Sequence, residues 1–124
     1  MAQNKSEIFG PVALTNTLTT NIIAPAVAGA SAVGYTATAT YILLFHIRIV
    51  NKTASAATFT LYKGATGANA AGTEVVGTAL SIPANSAYDW NGRMRLEGTN
   101  GFLVGGASAN TTLTFQAEGE VGLV

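Results

Sequence analysis

Six carboxylates, six cations and one histidine make up the charged and titratable chemistry of this 124-residue chain, apart from its tyrosines. The carboxylates are Glu7, Glu74, Asp89, Glu97, Glu118 and Glu120, and the histidine is His46, inside an apolar run and two residues before Arg48. A transition-metal site built on His46 needs further nitrogen or thiolate ligands, and the chain has no second histidine and no cysteine. A Ser-His-Asp arrangement would have to recruit remote residues to His46, and no nucleophile-elbow pattern is present. Glycoside hydrolysis needs two carboxyl groups facing each other across a cleft, and the spacing of these six suggests no such pair. Glu118 and Glu120 fall on one face of a strand, where a solvated edge explains them. Lys63-Gly64-Ala65-Thr66-Gly67 lacks the Gly-Lys-Ser/Thr ending of a phosphate loop and leads into no helix. No Asp-x-Asp-x-Asp calcium loop occurs. The residues therefore predict no enzyme, no cofactor and no metal, and His46 and Arg48 are expected as structural or interface residues.

One cluster reads as a contact surface. Ala87-Tyr-Asp-Trp90 and Arg93-Met-Arg-Leu-Glu97 flank Asn91-Gly92, the strongest two-residue hairpin signal, because a type I′ turn needs positive φ at both central residues. In that hairpin Tyr88, Trp90, Arg93 and Arg95 share one face, while Met94 and Leu96 point to a core. Trp, Tyr and Arg are the residues most enriched in binding hot spots. The expected use is a subunit contact or a sugar-stacking platform. A register one residue different would instead make Trp90 the core aromatic.

The elements that must position these residues read as strands. From Tyr41 onward apolar residues alternate. Tyr41, Leu43, Phe45, Ile47 and Ile49 are predicted to share the buried face, with His46 and Arg48 opposite. A polar connection over 51–56 leads to a second strand at 57–64, with Phe59 and Leu61 on one side. Further strands are predicted at 74–82, 87–90, 93–97 and 102–104. Another lies at 111–118, with Leu113 and Phe115 inward. Strand signals every ten or so residues, with no amphipathic helix, predict an all-β single domain of β-sandwich or jelly-roll type over 41–124.

Residues 1–40 differ. Ala, Gly, Thr, Val and Ser dominate 24–40, with no apolar stripe at helical spacing. They predict an extended N-terminal arm with strands at 12–19 and 21–23. Such an arm would be held by a neighbouring subunit, with Ile8, Phe9, Ile22 and Ile23 as the apolar contacts, or dock as a terminal strand on its own sheet.

Composition narrows the partners. Hydrophobic residues make up 48% of the chain and charged residues 10%, against about 25% in an average soluble domain. So weakly solvated a surface favours association. The formal net charge is zero, so no electrostatic footprint for nucleic acid is present. The apolar run from Ile42 to Val50 is interrupted by His46 and Arg48 and is too short to span a bilayer. The first seven residues are polar and no signal-peptide core follows, which predicts synthesis in the cytoplasm.

The order of these segments is itself suggestive. An apolar strand ending in Val50-Asn-Lys-Thr53 leads into Ala57-Thr-Phe-Thr-Leu-Tyr-Lys-Gly64. Then come Ser81-Ile-Pro-Ala-Asn-Ser-Ala-Tyr-Asp-Trp-Asn-Gly92 and a Thr-rich strand at Thr111-Thr-Leu-Thr-Phe-Gln116. Over about residues 41–118 this resembles small all-β virion proteins of tailed bacteriophages, among them capsid decoration (cement) proteins and head or tail accessory proteins. The resemblance implies a non-enzymatic structural role in the virion. The expected partners are the major capsid protein and further copies of the chain, as a trimer. A tail or fibre component that binds a receptor or carbohydrate is the alternative. The resemblance supplies no catalytic residues.

Overall fold

In Leu113–Gly122 buried Leu113, Phe115, Ala117 and Val121 alternate with exposed or half-buried Thr114, Gln116, Glu118 and Glu120. That period of two is what one-sided burial of a strand produces. The computed structural model describes residues 4–25, 32–36 and 41–122, and the described residues form nine strands and no helix. The strands are β1 (Asn4–Ala13), β2 (Asn21–Ala24), β3 (Tyr35–Thr36), β4 (Tyr41–Asn51) and β5 (Ala57–Gly64). They continue with β6 (Glu74–Ile82), β7 (Ala87–Leu96), β8 (Phe102–Ala107) and β9 (Leu113–Gly122). One sheet has the order β1-β9-β4-β7 and the other β3-β2-β8-β5-β6. All pairings are antiparallel except the short β2–β3 pair.

A single buried cluster draws on both sheets. Phe9, Ile42, Leu44, Ile47, Ile49, Leu96 and Phe115 come from the first; Ile22, Phe59, Leu61, Ile82 and Leu103 come from the second. Edge-to-face ring pairs link the sheets, Phe9 with Tyr35 at 4.8 Å and Phe59 with Tyr88 at 5.5 Å between centroids. Each such pair adds about 0.5–1.5 kcal/mol beyond its buried area. A smaller cluster of Ala24, Tyr62, Phe102 and Val104 lies apart from the main core, with Leu18 and Ala32 packed against it. Central β8 is therefore buried along its whole length.

Three sequence expectations are corrected. The described part of residues 1–40 docks on its own domain rather than extending to a neighbour: β1 pairs with β9 over Asn4–Ala13, and β2 pairs with β8. The strand expected at 12–19 lies instead at 4–13, and residues 14–20 form the connection to β2. Residues 1–3, 26–31 and 37–40, also assigned to the arm, lie outside the described residues. The alternation expected for β4 fails half-way. Ile42 and Leu44 point to the core, then Ile47 and Ile49 do, and Phe45 between them is exposed. The cause is a bulge: Leu44 pairs with Gly119 and His46 with Glu118, so Phe45 has no partner on β9. One extra residue reverses the parity of everything before it.

Candidate functional site

The bulge at Phe45 organises the outer face of the β1-β9-β4-β7 sheet. Between the same two rows β7 carries two residues, Gly92 and Arg93, where β4 carries one. The sheet widens from β9 to β7, and β7 runs through Asn91-Gly92 without turning. The expected hairpin is absent: neither Asn91 nor Gly92 has positive φ. A Cβ on Gly92 would come within 2.8 Å of the Trp90 ring, so the glycine makes room for the indole inside a strand.

This geometry separates the expected Tyr88, Trp90, Arg93, Arg95 cluster. Tyr88 and Trp90 sit opposite Ile49 and Ile47 and pack on the core. Arg93 and Arg95 are exposed on the other face, while Met94 and Leu96 are buried as expected. A platform combining Trp90 with the arginines cannot form, because β7 continues as one strand and Trp90 lies three and five residues from Arg93 and Arg95, which puts them on opposite faces. Phe9, Ile22 and Ile23 are fully buried within the domain and offer nothing to a neighbour, whereas Ile8 is exposed beside Glu118.

His46 and Arg48 lie on the outer face as expected, in a network drawn from three strands. His46 Nε2 is 2.7 Å from Asp89 Oδ1, and Nδ1 is 3.3 Å from Glu118 Oε1. Arg48 donates through Nε to Asp89 Oδ1 at 2.9 Å and through a terminal nitrogen to Oδ2 at 3.3 Å, a two-pronged contact. The Arg48 hydrogen bonds, and then that from His46, hold the Asp89 carboxyl below its ordinary range, and Asp89 raises Arg48 in turn. At the upper end of the face Arg95 donates to Glu97 at 2.9 Å and lies 4.2 Å over the Tyr41 ring. Glu97 is lowered by that hydrogen bond and Arg95 raised. Beside the His46 network is an open groove of about 790 Å³, lined by Ser6, Glu7, Ile8, Phe45, Asn91 and Glu118 among others.

Both imidazole nitrogens of His46 face carboxylates, which holds the ring between β7 and β9. Asp89 and Glu118 are bonded to the imidazole between them, and no three His, Asp or Glu groups among the described residues are arranged to hold a metal. The arrangement is suited to holding strands together and presenting a mixed polar and apolar surface. Sequence reasoning missed Asp89 and Glu118 as partners of His46 because they lie 43 and 72 positions away along the chain. Only strand pairing brings them together. Comparison with protein-family models and with curated proteins gave no match.

Proposed function

We propose that the chain is a non-enzymatic structural protein of a tailed-phage virion, a decoration or cement protein that binds the outer capsid surface and stabilises the shell. One observation carries the reading furthest: the strand order. β1-β9-β4-β7 with β2-β8-β5-β6 is the order expected of a β-sandwich of jelly-roll type, with β3 an addition at one edge. Viral capsid domains are among the proteins that use this architecture. The segment order that resembles phage virion proteins supports the same assignment, as does a surface so poor in charge. The partners are the major capsid protein and further copies of the chain. The setting is the virion, assembled in the host cytoplasm. The mechanism is repeated burial: each contact is modest, and many copies on one shell together oppose internal pressure.

The carbohydrate-binding alternative loses its motivating feature, since Tyr88 and Trp90 face the core. The test is addition of the purified chain to preformed heads that lack it. Saturable binding with raised thermal or osmotic resistance is expected. Absence of binding at saturating concentration sinks the proposal.

A further inference from the structure

We infer that the outer face of the β1-β9-β4-β7 sheet pairs with the same face of a second copy about a two-fold axis along the strands. This names the surface behind the self-association in the proposed function and rests on that part of it. Four large apolar side chains are exposed among the described residues: Ile8, Phe45, Val50 and Val33. Three of them, Ile8 at 61%, Phe45 at 37% and Val50 at 37% exposure, lie on this one face. The chain covers the satellite cluster of the other sheet with its own Leu18 and Ala32. An exposed apolar patch rimmed by charge is the mark of an interaction surface.

The charges on the face say what covers it. Outward from β9 come Glu118 and Glu120. Outward from β4 and β7 come Arg48, Arg93 and Arg95, with Asp89 the one carboxylate within those two strands. Arg48 is taken by Asp89, and Arg95 by Glu97 just past the end of β7. Arg93 bonds no carboxylate among the described residues, and its guanidinium lies 6.0 Å from the centroid of the Phe45 ring. Glu118 meets His46 through one oxygen and is still 62% exposed, so one lateral half of the face offers an accessible carboxylate and the other a spare cation. A two-fold axis along the strands, between β9 and β4, lays β7 of one copy over β1 of the other and β4 over β9. Rows stay in register, so each Arg93 reaches across to Glu118 of the other copy, and Phe45 and Ile8 fill the centre. Two-fold interfaces are self-complementary in this way.

The size is adequate. Four strands about 4.8 Å apart and about ten residues long present a face of roughly 600 Å², or roughly 1,200 Å² for the pair. That meets the lower bound for specific interfaces, about 1,200 Å². The face suits a two-fold rather than the three-fold expected from the sequence.

The experiment is sedimentation equilibrium on the full chain from micromolar to about millimolar concentration, with circular dichroism melts as a folding control. A concentration-dependent dimer is expected. Arg93→Glu and Glu118→Arg should each weaken it at least about tenfold, and the double variant should recover most of that loss. Phe45→Asp should leave a folded monomer. A monomer throughout, a trimer, or a dimer indifferent to both charge reversals overturns the inference. Head binding is scored separately. A monomer that binds heads, and loses that binding in Phe45→Asp, assigns the face to the shell and leaves the proposed function standing. A dimer that does not bind heads removes the function and leaves the pairing.

Discussion

Asn51 is buried to 0% exposure at the end of β4, and its amide is bonded on every side. Its Nδ2 donates to the carbonyl oxygens of Ser55 at 2.8 Å and Ile82 at 2.9 Å, with Pro83 at 3.2 Å. Its Oδ1 accepts from the Thr53 backbone N–H at 2.9 Å and the Thr53 hydroxyl at 2.7 Å. One side chain thus ties the β4–β5 connection to the β6–β7 connection, two places where the chain crosses between sheets. Asn51→Ala removes all of this. The bond to the buried Ile82 carbonyl, which also lies opposite Ala57 in the β5–β6 ladder, is lost at about 0.5–1.5 kcal/mol, and the lost bonds at the half-buried groups add about 1 kcal/mol each before water repairs some of them. A total near 3–4 kcal/mol follows, which at this chain length lowers the melting temperature by about 10–15 °C. Asn51→Asp is nearly isosteric but worse at neutral pH, because a carboxylate oxygen then faces three carbonyl oxygens. A protonated carboxyl can donate to one of them, so the folded-state pKa of the new Asp is raised above its unfolded value near 3.9. The extra penalty is absent below the unfolded pKa and grows as pH rises through the folded one. Asn51→Asp should therefore be less stable than Asn51→Ala at pH 7, and the gap should close towards pH 4. Comparing the two variants at each pH cancels the titration of the rest of the chain. Urea denaturation reads both. A loss below 1 kcal/mol for Asn51→Ala, or an Asn51→Asp variant as stable as the parent at neutral pH, refutes the argument.

Trp90→Ala should destabilise the domain by about 2–3 kcal/mol, below the 3–5 of a fully buried aromatic because Trp90 is only half-buried; a shift under 1 kcal/mol in a denaturant titration would show that the indole does not serve the core. Gly92→Val should cost about 1–3 kcal/mol by driving a side chain against the Trp90 ring, and the same substitution in a Trp90→Ala background should cost measurably less. The Asp89 carboxyl is held low by Arg48 and His46, so its stabilisation is present above its unfolded pKa near 3.8 and lost as pH falls through the lower folded value. Melting temperatures from pH 6 down to pH 2 should fall less steeply for Asp89→Asn than for the parent chain; equal slopes would count against the network.

Residues whose environment is set along one strand were legible in the sequence, and residues set by a partner strand were not. β5 and β6 lie at the predicted 57–64 and 74–82, and Leu113 and Phe115 point inward as alternation requires. The bulge at Phe45 exists only relative to β9 and β7, which follow it in the chain, so no local pattern marks it. Its consequences are large because side-chain parity is all or none. Phe45 moves from core to surface, and Asn51, expected in a polar loop, continues the inward face of β4. The same dependence on pairing explains Asn91-Gly92. A dipeptide that closes hairpins when its neighbours can fold back instead continues a strand here, because β4 offers pairing on both sides of it, from Leu96 to Met94 and from Asn91 to Ala87. The candidate face inherits this logic. Its apolar centre is Ile8 of β1 and the displaced Phe45, and its spare cation is Arg93, the residue opposite that bulge. One additional residue in β4 therefore both unburies the ring and places the guanidinium beside it. A deletion of Phe45 should remove the exposed ring and that cation's neighbour together, while restoring simple alternation to β4.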